Sequence, residues 1–179
     1  MDYWTHYMYD STGNAVSQDT LVAPPEHLQW VGAPRWARHH DHMASMNALV
    51  TAGNRIFYVF DEGSTASIML PSKWRLIARD AFNGVVLWKK KLPDWWTRFA
   101  PLKSGPAQLP RKLVATAEHV YLPLGLNAPV SQLDAATGEI AQIYEETTNT
   151  WELVLDEGVL YTVTGSPRRA EEKKMQHLF

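Results

Sequence analysis

The residues with the most chemical potential are Arg38-His39-His40-Asp41-His42. Three imidazoles and a carboxylate within four positions are natural ligands for a divalent metal such as zinc, iron or copper. In an extended chain His40 and His42 share one face while His39 and Asp41 share the other. In a helix His39 and His42 come together instead. All four therefore cannot converge, and the candidate metal set is His39, Asp41 and His42. The competing reading is a polar loop in which one histidine orders the backbone and Arg38 pairs with Asp41.

The same loop, with Trp36 just before it, offers a second chemistry. An arginine beside a stacking tryptophan suits a planar anionic ligand, which makes Trp36, Arg38 and His40 a candidate cofactor cradle. Against it stands the reading in which Trp30, Trp36 and Trp88 are packing groups between structural units. Elsewhere Trp95-Trp96 reads as an aromatic cluster at a sheet edge, Lys89-Lys90-Lys91 as a solvated strand end, and Asp61-Glu62 and Glu145-Glu146 as acidic pairs. No spacing ties those carboxylates into a catalytic pair, and neither a nucleophile elbow nor a P-loop is present. No catalytic residue is assigned.

Composition excludes several classes. The chain of 179 residues has no cysteine, which removes disulfides, thiolate catalysis, iron–sulfur clusters and Cys-based zinc sites. A formal charge of -2 and a pI near 6.4 argue against a nucleic-acid surface. The N-terminus lacks the basic start and apolar stretch of a signal peptide, and no apolar run approaches the roughly 20 residues of a membrane span. A soluble chain is expected, with no compartment indicated.

Eight Trp, seven Tyr and five Phe, punctuated by eleven Pro and ten Gly, favour short strands joined by turns. Three segments align without gaps: residues 49–60 (LVTAGNRIFYVF), 113–124 (LVATAEHVYLPL) and 153–164 (LVLDEGVLYTVT). Each opens with Leu-Val, and seven residues later comes an aliphatic–aromatic pair. Between them lies a small or polar turn, so each segment reads as a hairpin.

After the first two hairpins the motif D-A-x-[N/T]-G recurs, as Asp80-Ala81-Phe82-Asn83-Gly84 and Asp134-Ala135-Ala136-Thr137-Gly138. Asp can accept hydrogen bonds from backbone N–H groups further along a turn, and Gly tolerates positive φ. Asp80, Asn83, Gly84, Asp134, Thr137 and Gly138 are thus structural turn residues joining a third strand to a fourth. One unit is a four-stranded meander. The interval from Leu-Val to Asp is 31 residues in the first copy and 21 in the second, which places a ten-residue insertion within residues 61–73.

Meanders repeated around a centre make a β-propeller, typically of 4–8 blades. A β-sandwich, the rival, would not need the same turn at equivalent places. The expected fold is therefore all-β, a partial propeller of about two and a half four-stranded antiparallel blades. Residues 1–46 form an N-terminal segment with one blade-closing strand at 28–32 (LQWVG), residues 47–165 the blades, and residues 166–179 a charged irregular tail.

The repeated turn, followed by an aromatic residue (Trp88, Tyr144), resembles the PQQ-like repeat of quinoprotein propellers, named for pyrroloquinoline quinone. More narrowly, WTHYMYDSTGNAVS, LQWVGAPRWARHHDHMASMNALV, RLIARDAFNGVVLWKKKLP and PLKSGPAQLPRKLVA resemble the propeller region of large bacterial proteins of planctomycete type. The resemblance implies a binding or scaffold module whose partners are the remaining blades, or another domain, of a larger protein. It also opens two alternatives. One is part of a PQQ-dependent oxidoreductase, with PQQ the ligand of Trp36, Arg38 and His40. The other is an accessory propeller of a methyltransferase that uses S-adenosylmethionine. No glycine-rich nucleotide loop of such a methyltransferase is present in this sequence.

Overall fold

A computed structural model describes residues 2–34, 37–38, 45–67, 70–95 and 108–166. Among these the regular structure is all β, apart from two single 3₁₀ turns at Pro110–Lys112 and Glu145–Thr147. No helix among the described residues is long and apolar enough to cross a membrane.

The first repeat forms an antiparallel sheet in sequence order, β1 (Met46–Ala52), β2 (Arg55–Asp61), β3 (Trp74–Asp80) and β4 (Val86–Lys91). The second repeats that order with β5 (Val114–Ala115), β6 (His119–Pro123), β7 (Val130–Asp134) and β8 (Ile140–Tyr144). The third is a hairpin of β9 (Thr150–Asp156) and β10 (Val159–Thr164). Two of the hairpin tips use consecutive residues at positive φ, Gly53-Asn54 and Glu157-Gly158. That backbone matches the twist of the strands it joins.

Period-two alternation decides which residues meet between units. Val50, Phe57, Val59, Leu76 and Ala78 leave the first sheet on one face and meet Leu113, Val120, Leu122 and Leu133 of the second in one continuous core. The opposite face of the second sheet sends Val114, Tyr121 and Val130 to Leu153, with Leu155 and Leu160 packed alongside. The three first strands lie together, β1 beside β5 and β5 beside β9. Each unit therefore packs one face on the next, with the three first strands side by side.

Several expectations are revised by packing. Residues 28–32 form no strand, because they meet a turn of the first sheet and no open strand edge. Trp95 is not at a sheet edge but buried in the core between the first two sheets, with its indole Nε1 donating to Asn47 Oδ1 at 2.8 Å. Trp96 lies outside the described residues, as does most of the tail, residues 167–179.

The excess of ten residues in the first copy is spread more widely than one loop insertion. The connection at 62–73 is six residues longer than its counterpart at 124–129, and β2 and β3 are each two residues longer than β6 and β7.

Candidate functional site

The two D-A-x-[N/T]-G turns have the same hydrogen-bond plan. Asp80 Oδ1 accepts from the N–H groups of Phe82 and Asn83, at 2.9 and 3.0 Å. Asp134 Oδ1 accepts from Ala136 and Thr137, at 2.9 and 2.8 Å, and also from the Thr137 hydroxyl. These donors, Thr137 first, hold the Asp134 carboxyl below its usual range. The fourth residue closes the turn: Asn83 Oδ1 accepts from Val85 N–H at 2.8 Å, and Thr137 Oγ1 from Glu139 N–H at 3.2 Å. Gly84 and Gly138 sit at φ +73° and +74°.

Each turn receives a tryptophan from outside its own sheet. Trp88, on β4, donates its indole N–H to Ala135 O at 3.0 Å, with its ring over Gly138. Trp30 donates to Ala81 O at 2.9 Å, with its ring over Gly84. Residues 28–32 thus present Trp30 as β4 presents Trp88, without being a strand. Tyr144 does not play this part in the second unit. Gln142 faces Gln132 in the register where Trp88 faces Ala78, and the Tyr144 hydroxyl donates to Gln132 Oε1 at 2.7 Å.

Arg38 is the described member of the candidate cradle; Trp36, His39, His40, Asp41 and His42 lie outside the described residues. The Arg38 side chain is buried against Asp61 at the end of β2, Nη1 to Oδ2 at 3.3 Å. Its guanidinium also donates to the carbonyls of Ser67, Leu70 and Pro71, so it gathers the long β2–β3 connection beneath it. The other Asp61 oxygen accepts from the N–H groups of Gly63 and Lys73, at 2.8 and 2.7 Å. A side chain at residue 63 would overlap the guanidinium, which accounts for glycine there.

Beside this pair is a cavity of ≈ 380 Å³ bounded by Ala33, Phe60, Asp61, Glu62 and Lys89. Lys89 is already paired with Glu62, Nζ to Oε1 at 2.5 Å. A polycarboxylate quinone needs uncompensated cations; here both cations face carboxylates, and Asp61 and Glu62 would repel the ligand. Arg38 and Lys89, the described cations beside the cavity, are thus both paired with carboxylates. Among the described residues no group of three or more His, Asp or Glu side chains is placed to hold a metal ion.

A second concave site was not anticipated. The N-terminal residues Trp4-Thr5-His6 lie across the three first strands. Thr51 N–H of β1 donates to Trp4 O at 2.7 Å, and Ala115 N–H of β5 to Thr5 O at 3.1 Å. Leu155 N–H of β9 donates to His6 Nε2 at 3.0 Å. Thr51, Ala115 and Leu155 occupy the same position in their repeats, two residues after the leucine of Leu-Val.

Because Nε2 accepts, the neutral His6 ring carries its proton on Nδ1, 2.8 Å from Thr5 Oγ1. Burial pushes His6 below its ordinary pKa, while the Asp10 and Asp156 carboxylates pull partly the other way. A cleft of ≈ 280 Å³ opens beside it, walled by Arg111 and Glu152, which pair at 2.5 Å, and by Tyr7 under the guanidinium at 5.6 Å. With both ring nitrogens engaged, His6 is a structural pin with no free nitrogen for a metal or for a substrate proton. Sequence reasoning missed this centre because its three contacts are 47 to 149 residues apart. The repeated Leu-Val columns marked the strands, but nothing in them marks the segment that crosses them.

No protein-family model and no curated protein matches this chain.

Proposed function

We propose that this chain is part of a PQQ-like β-propeller, working as a binding or scaffold module of a larger protein and without a catalytic constellation of its own. The observation that carries the reading is the docking used twice, Trp30 on the Gly84 turn and Trp88 on the Gly138 turn. The first unit grips the second, and the N-terminal segment grips the first, through the same donor, the same acceptor position and the same glycine. Such a contact serves stacking of successive units, the way repeat proteins gain stability from their neighbours. The convergence of β1, β5 and β9 on Trp4-Thr5-His6 supports the same reading, since blades arranged about an axis bring their first strands together. Function is then carried by surfaces, because the buried Arg38–Asp61 pair and His6 are engaged in holding the fold.

Thermal unfolding with PQQ plus calcium, and separately with zinc, tests this. A ligand that binds the folded state raises the melting temperature once it is well above its dissociation constant. The scaffold reading expects no shift with either. A shift that disappears in Arg38→Ala and His40→Ala would replace it with the quinoprotein or metal-site reading.

A further inference from the structure

The two Asp-to-Gly turns differ at one position that has covalent chemistry of its own. Asn83 and Thr137 close their turns alike, each accepting from the N–H two residues on. Only the first turn places an amide side chain before its glycine, and Asn83-Gly84 is the one Asn-Gly pair in the sequence. Asparagine is a thermolabile residue. A following residue without a Cβ leaves its backbone nitrogen unhindered in reaching the side-chain carbonyl carbon.

The reaction needs no cofactor. Gly84 N gives up its proton and bonds to Asn83 Cγ; the Cγ–Nδ2 bond breaks and ammonia leaves. Water then opens the cyclic imide at either carbonyl, giving aspartate or isoaspartate at residue 83. Asn83 is exposed to that water.

The folded turn opposes the first step. Gly84 N–H donates to Asp80 O at 3.0 Å, and Gly84 O accepts from Arg79 Nη1 at 2.6 Å. Gly84 is buried with the Trp30 ring over it, while Val85 N–H holds Asn83 Oδ1. The nitrogen can attack only when the turn opens. Trp30 and Gln29 keep it shut by donating to Ala81 O and Phe82 O, at 2.9 and 2.7 Å.

We propose that Asn83-Gly84 is a modification site, deamidating at a rate that the docked Trp30 sets. Isoaspartate there acts back on the segment that guards it. It adds a backbone methylene between residues 83 and 84, which moves Gly84 from its φ of +73° and from the Arg79 guanidinium. Arg79 also donates to Ala33 O, so residues 29–33 lose their anchors at Ala81, Phe82 and Arg79 together. One slow covalent change thus releases this segment from the first sheet.

Peptide mapping of the whole chain, incubated at mildly alkaline pH, tests the proposal. It follows the amide-to-acid mass gain in the tryptic peptide of residues 80–89. Conversion should be slow in the folded parent and fastest in denaturant. A Trp30→Ala variant that still unfolds cooperatively should convert roughly tenfold faster than the parent or more, through easier local opening. Trp30→Phe, which keeps a ring and loses the bond to Ala81 O, should fall between them and serves where the alanine variant does not fold. Asn83→Thr, copying the second turn, should keep the fold and show no gain. A folded parent that converts as fast as the unfolded chain, or Trp30 variants that convert at the parent's rate, overturn the guarding role. An unfolded chain that does not convert overturns the site itself. Isoaspartate formed with unchanged amide exchange at residues 29–33 overturns the release.

Discussion

The indole of Trp88 occupies the space that a side chain on Gly138 would need. A Cβ there would stand 2.7 Å from two ring atoms, while the same indole reaches Ala135 O. The glycine is required twice over, by its φ of +74° and by the ring above it. One residue type thereby serves the turn within a unit and the joint between units.

Gly138→Ala should accordingly cost more than a turn substitution at an open surface. A non-glycine residue at positive φ costs about 1–3 kcal/mol, and overpacking against a ring adds roughly 1–3 kcal/mol. Chemical denaturation should show a lowered midpoint with little change in slope, the unfolding free energy falling by a total of about 2–6 kcal/mol. Gly84→Ala should behave alike under Trp30. A loss below about 1 kcal/mol at both sites would mean that the rings are not held there.

The buried Arg38–Asp61 pair gives a different signature. Removing one partner strands the other away from water, so Arg38→Ala or Asp61→Ala should each destabilise the fold by about 3–5 kcal/mol. Because the groups act on each other, the double variant should lose clearly less than the two single losses combined. Additive losses in a double-mutant cycle would show that each residue acts through the β2–β3 connection independently.

Acid should loosen the N-terminal segment through His6. Its folded pKa lies below the unfolded value near 6.5, so the unfolded chain binds the extra proton more readily. The His6 contribution to stability is complete above that value and declines as pH falls from it towards the folded pKa. Protonation also turns Nε2 into a donor facing Leu155 N–H, which breaks the contact with β9. Unfolding free energies measured from pH 7.5 to 5 should fall with acid in the parent chain and fall less in His6→Gln. Equal pH dependence in the two proteins would remove His6 as the cause.

Much of the architecture is local and therefore legible in sequence. Leu-Val columns, period-two alternation and glycine-containing tips specify hairpins whose strands are near neighbours in the chain. The Asp-to-Gly turn carries its own hydrogen bonds within five residues. The four-stranded order of the first two units, and the hairpin of the third, follow from such short-range instructions.

Long-range contacts were decided only by the tertiary structure. Residues 28–32 have the composition of a strand, yet no free edge lies beside them, and a strand without a partner cannot satisfy its backbone. Gln29 and Trp30 dock on the turn of the first sheet instead, donating to Phe82 O and Ala81 O. Trp95, flanked by a proline before and a second tryptophan after, reads as surface until the two sheets close over it. Arg38 reads as a ligand-binding cation from its neighbours in sequence, but Asp61 and three carbonyls of a distant connection neutralise it in space. His6 shows the same division most clearly: its type allows many roles, and the Leu155 N–H placed 149 residues away settles which nitrogen holds the proton. Spacing within about a dozen residues encodes turns and hairpins, whereas charge compensation and burial depend on what the rest of the chain brings alongside.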